Sequence, residues 1–471
     1  MPSIAAFTGC IPSFACALIA VMSLTGCETY QPLPPDLGAH RAGFLTRDPG
    51  GAAVRDYLRE LAAMNGERVT TFDVNDGISL DEAEVVALVF NTQLRVARLK
   101  AKVSLAGAGQ ADRWDDPEFD FELLRVIEST SKPWVLASSL ALTIPISGRL
   151  AAQKSKAVAE ADVELRRAHE LEWQTLATLR EAWLTWSATR QRIALTEKYL
   201  SPLDDAARIA EQQRRFGKIG STDERVFHIE RALRRGDLAT DQAEARAQEL
   251  QIKALLGLAP SARITLVPSL PVDSPDASPN DDAALLAHPR LKLAAAEYEV
   301  AEQALRLAIR KQYPDLKIGP AGEWDEGDWK AGLSLSVPIP ILNANKREIA
   351  EAKAGRDAQL AALEAEYEAL MHEAAAARER LDAARARRTH IETQVAPLVD
   401  QQISDLSKQA GLGELDALLM LDALQRVVET RKSALAARLE EATASAALRA
   451  LFTPAPTTPV LRNLSTQERT R

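Results

Sequence analysis

The sequence predicts a mainly α chain carrying β-hairpins of membrane type, and three observations predict it. Alanine-rich charged stretches run for tens of residues without glycine, aromatic residues make up only 5% of the 471, and short runs of alternating apolar and polar residues stand apart from them. The third is a repeat. Trp134 to Arg149, WVLASSLALTIPISGR, is laid out again 195 residues later within Trp329 to Arg347, WKAGLSLSVPIPILNANKR. Trp134 answers Trp329, Pro145 answers Pro340 and Ile146 answers Ile341. Each stretch reads as a strand that turns through a proline corner into a long helix, a junction centred on Pro145 and Pro340.

At 26% charged and 46% apolar the chain is not disordered by composition. A net charge of −9 leaves no polybasic surface, so nucleic acid is not an expected partner. Beyond the N-terminus no apolar run approaches the roughly 20 residues of a membrane-spanning helix. Ile11 to Thr25 are apolar and end in Leu24-Thr25-Gly26-Cys27, which resembles a bacterial lipoprotein signal. Small residues mark a cleavage point, residues 1–26 are the expected signal peptide, and Cys27 is the thiol to be acylated. One departure is the lack of any Lys or Arg before Arg41, where a signal usually carries positive charge. Cleavage removes Cys10 and Cys16 and leaves one acylated cysteine, so no disulfide is expected.

Residues 27–77 begin rich in Pro and Gly and are expected to be extended, with helix only from Tyr57 to Ala63. The first repeat covers 78–258. Ser79-Leu80-Asp81-Glu82 has capping-box spacing, and the helix it opens is expected to reach about Gln110. Asp116-Pro117 stops it, and a β-hairpin follows over 118–144. Glu122 and Arg125 interrupt its apolar pattern. The helical hairpin at 149–257 starts with 67 residues, Arg149 to Arg215, that hold no glycine and one proline, Pro202. Leu176, Leu179, Trp183, Trp186 and Ile193 share one face at heptad-like spacing, and a rod of this length measures roughly 100 Å. Phe216-Gly217-Lys218-Ile219-Gly220 breaks the rod, and Ser221-Thr222-Asp223-Glu224 has the spacing to recap it.

Five prolines mark 259–280 as a linker. The second repeat, 281–452, is read as a helix, a β-hairpin at 316–340 and a helical hairpin at 346–452; 453–471 reads as a disordered tail. Ala87, Leu88, Leu94 and Val103 recur at an offset of 197, Trp134, Pro145 and Pro202 at 195, and Ile219, Gly220 and Asp223 at 193 as Leu412, Gly413 and Asp416. Offsets that shift in steps of two are what turn deletions leave in a duplicated chain.

In the second β-hairpin Leu316, Ile318, Pro320, Gly322 and Trp324 alternate with polar or small residues, as do Trp329, Ala331, Leu333, Leu335 and Val337. Strands of about nine residues with tryptophans near the turn suit a tilted membrane strand. The same alternation suits a half-buried hairpin of a soluble domain. Four strands cannot close a membrane barrel, so a membrane role demands several copies.

In this order and duplicated, these pieces resemble the TolC-like outer-membrane efflux proteins over Ser79 to about Phe452. The resemblance implies a homotrimer with a twelve-stranded β-barrel in the outer membrane and an α-barrel tunnel of helical hairpins reaching into the periplasm. It implies a lipid-anchored passive conduit working with a periplasmic adaptor (membrane fusion) protein and an inner-membrane transporter. Adaptor-contacting tips fall at Gly217, Lys218, Ile219, Gly220 and Ser221 and at Gly411, Leu412, Gly413 and Glu414. A periplasmic gate falls near Asp416 and Asp422. A polypeptide channel of type I secretion shares the architecture, and a soluble periplasmic coiled-coil scaffold is the reading from another class. Catalysis, a metal and a cofactor are not expected: the six histidines show no ligand spacing, and no P-loop or nucleophile elbow is present.

Overall fold

The computed structural model describes residues 29–65, 73–74, 76–127, 134–271, 281–325, 328–411 and 416–452. It divides into two units, Met1–Thr46 and Arg47–Arg471. In the first, helix α1 (Leu37–Leu45) starts where the Asp36 carboxylate accepts the Ala39 N–H at 2.8 Å. The second unit opens with α2 (Ala52–Asn65), which buries Val54, Tyr57 and Leu58. The expectation of an extended 27–77 segment is therefore corrected: an aspartate cap and an amphipathic stripe make two helices of it.

The helix expected from Ser79 to Gln110 is two, α3 (Leu80–Phe90) and α4 (Thr92–Ala108). The Ser79 capping box is formed as expected. Asn91 breaks the rod: its side chain accepts the N–H groups of Gln93 and Leu94, which caps α4, and donates to the Leu255 carbonyl at 2.8 Å.

Strands β1 (Glu118–Arg125), β2 (Trp134–Ile144), β3 (Leu316–Asp325) and β4 (Asp328–Ser336) form one antiparallel sheet in that order. The β2–β3 pairing joins the hairpins of the two repeats. Cross-strand rows such as Leu123, Leu136, Trp324 and Trp329 sort the side chains onto an apolar face. The row Glu122, Ala137, Glu323 and Lys330 lies on the polar face. Glu122 therefore continues the alternation that it was expected to interrupt. Arg125 does lie among apolar residues, at the strand end, with its guanidinium over the Trp134 ring. Between β2 and β3, ladder pairs are missing at Gly319-Pro320. A side chain at 319 would run into the Leu140 carbonyl, and proline has no N–H to give.

After β2, α5 runs unbroken from Arg149 to Arg215 through Pro202, and α6 (Ser221–Leu255) returns along it. The second repeat supplies α7 (Asp281–Leu286), α8 (Pro289–Arg310) and α9 (Lys346–His390). A π-turn at Ile391–Val395 then leads into α10 (Ala396–Gly411), and α11 (Ala417–Phe452) returns. Helix α5 is the spine. Its sheet-proximal part packs on α4 and α8, its distal part on α6 and α11, and α9 packs on both α8 and α11. Leu179, Trp183 and Trp186 on the face foreseen from spacing meet Ile78, Val86, Ile252 and Leu256, and the two indoles stand edge to face. Each such buried side chain contributes about 1.5–3 kcal/mol. Partly buried ion pairs, Arg98 with Glu172 and Arg180 with Glu84, tie α4 and α3 to the spine.

The linker is ordered where it is described. Ile78 pairs in parallel with Leu266, and the Ser269 N–H donates to the Ser187 hydroxyl. Among the described residues no helix is long and apolar enough to cross a membrane. The signal, Cys27 and the 453–471 tail lie outside the described residues.

Candidate functional site

Three places carry the features foreseen from sequence: the junction of sheet and helices, the polar sheet face, and the distal hairpin tips. At the junction both Ile-Pro-Ile corners close the same way. The Ile146 N–H donates to the Ile144 carbonyl and the Ile341 N–H to the Ile339 carbonyl, each at 2.9 Å, so Pro145 and Pro340 sit at the centre of three-residue turns. Left-handed residues then start the long helices, Gly148 at φ +73° and Asn345 at φ +55°.

The first junction is locked by groups that sequence reading passed over. Asp315, the residue before β3, accepts from the Ser147 hydroxyl at 2.7 Å and from the Arg149 guanidinium, which also pairs with Asp115. Desolvation pushes the Asp315 carboxyl up, but hydrogen bonds from Ser147 and Arg149 outweigh it and hold the group below the usual carboxylate range. Only the adjacency of Gly148-Arg149 to the strand end signalled this clamp. Its acidic partner is 166 positions away.

On the polar sheet face the lysines are paired, Lys317 with Glu118 at 2.6 Å and Lys330 with Glu323 and Asp325 at 3.2 and 3.0 Å.

At the first tip, Gly217 takes φ +70°. Its N–H reaches the Arg214 carbonyl while the Lys218 N–H reaches that of Gln213, the pairing that ends a helix on a left-handed glycine. Ile219 is half-buried, and Gly220 and Ser221 are exposed. The cap of α6 is one residue earlier than expected. Gly220 is the cap, Asp223 accepts its N–H at 3.0 Å, and Ser221 becomes the first helical residue. Gly411 ends α10, whereas Leu412, Gly413 and Glu414 lie outside the described residues.

Asp416 caps α11 through the N–H groups of Leu418 and Leu419, and Asp422 pairs with Arg426 at 2.9 Å. Asp416 is exposed and Asp422 half-exposed, and six positions along a helix put them on different faces. Behind them the hairpins share a core of Tyr199, Leu203, Ala207, Phe227, Leu421 and Leu424. Polar links also bridge them: Gln425 donates to the buried Glu230 at 2.9 Å, and Arg234 holds the same carboxylate and lies 3.7 Å from Glu429.

This arrangement, two duplicated helical hairpins hung from a four-stranded sheet, is the fold of the TolC-like outer-membrane channels. Among solved structures, the chain resembles the outer-membrane channel OprN with a TM-score of 0.68 and 17% identity, over 92% of this chain and 99% of that one. CusC, described for its transmembrane channel formation, gives 0.66 and 15% over 82% and 95%. The outer membrane protein VceC of Vibrio cholerae gives 0.63 and 16% over 79% and 95%. No family model and no curated protein matches the sequence.

Proposed function

We propose that this chain is the outer-membrane channel of a tripartite efflux system, a passive homotrimeric conduit that performs no catalysis. The observation that carries the reading is that the chain is an open strip with two unfinished edges. One edge consists of β1, α4 and α6, the other of β4, α9 and α10. Strands β1 and β4 are each paired on one side only and are exposed throughout. An unpaired strand edge needs a partner, above all in lipid.

The helical edges are unfinished in the same sense. Val226, Ile229, Leu233, Gly236, Thr240, Ala243, Ala247 and Leu250 form an exposed seam along α6 at alternating spacings of three and four. Val96, Leu99 and Val103 do the same on α4, while Leu360, Met371 and Leu398 are exposed on the opposite edge. Different edges that must meet make a heterologous contact, which closes as a ring. Three copies give twelve strands, an even-numbered barrel of the kind that spans outer membranes.

In this reading Cys27 carries the lipid anchor and Pro145 and Pro340 mark the passage from barrel to tunnel. The tips at Gly217–Ser221 and Gly411–Glu414 receive a periplasmic adaptor that links the channel to an inner-membrane transporter. Asp422 and Asp416 sit at the narrow periplasmic entrance, where a ring of carboxylates disfavours anions. Planar-bilayer recording of the purified protein tests the proposal: conducting, cation-preferring pores are expected, with conductance raised in Asp422→Ala. Recovery as a soluble periplasmic monomer that forms no pores would overturn it.

A further inference from the structure

We infer that Val337, Ile339, Ile341 and Leu342 form an apolar lip that lies in the acyl layer of the membrane's periplasmic leaflet, below the last paired residue of the sheet. The inference rests on the membrane reading above and adds to it a lipid-contacting surface that is longer on the second repeat than on the first. These four side chains are 43%, 76%, 80% and 93% exposed, and every residue from 336 to 343 is exposed.

Length is the first argument. Under the repeat offset, 329–339 answers β2, which is paired over all eleven residues from Trp134 to Ile144. Those eleven rise about 33 Å and, at a tilt near 40°, cover about 25 Å of depth, the height of the apolar band of a membrane barrel. The nine residues of β4 cover only about 20 Å at the same tilt, and continuing to Ile339 brings the depth to about 28 Å. Direction is the second argument. Val337 and Ile339 continue the odd-numbered series of Leu333 and Leu335, which face the apolar side of the sheet.

Asymmetry between the repeats is the third. After the first proline corner Ile146 is also exposed, at 64%, but the chain turns inward at the next residue, with Ser147 buried and Arg149 spent on Asp315 and Asp115. After the second, Ile341 and Leu342 stay outside, and Lys346 and Arg347 follow, both exposed. Apolar residues followed by basic ones fit the step from acyl chains to anionic headgroups.

All three native cysteines precede residue 28; in the reading above Cys10 and Cys16 leave with the signal and Cys27 is acylated, so a single introduced cysteine takes the label with the anchor kept. Ile341→Cys, Leu333→Cys on the sheet and Ala361→Cys on α9 are each labelled with an environment-sensitive fluorophore. They are then reconstituted into phosphatidylethanolamine–phosphatidylglycerol vesicles with and without spin-labelled lipid. The lip predicts that the labels at 341 and 333 lose most of their emission to the spin-labelled lipid while the label at 361 does not. Quenching at 333 without quenching at 341 overturns the lip. Failure of quenching at 333 removes the membrane reading itself, and the lip with it.

Discussion

At the scale of single residues, the duplication shows what each position must do by giving two answers to one requirement. Asn91 and His288 stand at equivalent places, 197 apart, between a short helix and a long one. His288 caps α8 by accepting the Arg290 N–H on Nδ1, is buried, and meets the edge of Trp173. Burial, reinforced by Arg290 and opposed by Glu373, pulls its pKa down from 6.5 to about 4. The unfolded chain therefore takes up a proton near pH 6.5 that the folded chain refuses until about 4. The stability that His288 contributes is complete above 6.5 and declines as pH falls from there. Replacing it with the residue that the other repeat uses, His288→Asn, is expected to keep the cap and flatten this decline, read as melting temperature against pH.

Glycines give a second residue-scale test. Gly257 and Gly217 share φ +70°, but a Cβ at 257 would lie 2.2 Å from the Phe90 carbonyl oxygen, whereas nothing lies within 4 Å at 217. Gly217→Ala is expected to cost only about 1–2 kcal/mol of conformational strain. Gly257→Ala adds a backbone collision and should cost several times the shift in thermal melting.

Elements were the scale at which sequence spoke most clearly. Helix α5 has the bounds expected from its lack of glycine, and β2 runs from the expected tryptophan to the expected isoleucine. Side-chain period and chain breakers are local signals, and both survive tertiary packing here. What stayed hidden was long-range or compensatory. Asn91 breaks a run expected to be one helix, and the Leu255 carbonyl that braces its side chain lies 164 positions away. The Asp315 clamp and the Glu230–Gln425 bridge join residues 166 and 195 positions apart, for which periodicity carries no sign. The exposed seam of α6 was equally silent until the helix was seen with one face uncovered. Leu233→Lys, in that seam, is expected to leave helix content by circular dichroism unchanged and to weaken association between copies, seen as a smaller species in sedimentation.

For the whole molecule, one chain is, in the reading proposed above, a fragment of a larger closed surface. Its sheet has two free edges, its helices two uncovered flanks, and the free strand and uncovered helices on each side belong to the same edge. Sequence indicated the incompleteness by counting strands, and the structure locates the free edges at β1 and β4. The most direct measurement is the mass of the intact assembly, released from detergent micelles in a native mass spectrometer. Ring closure by edge-to-edge contact predicts a single species of three chains. A monomer, or a ladder of open-ended oligomers, would contradict it.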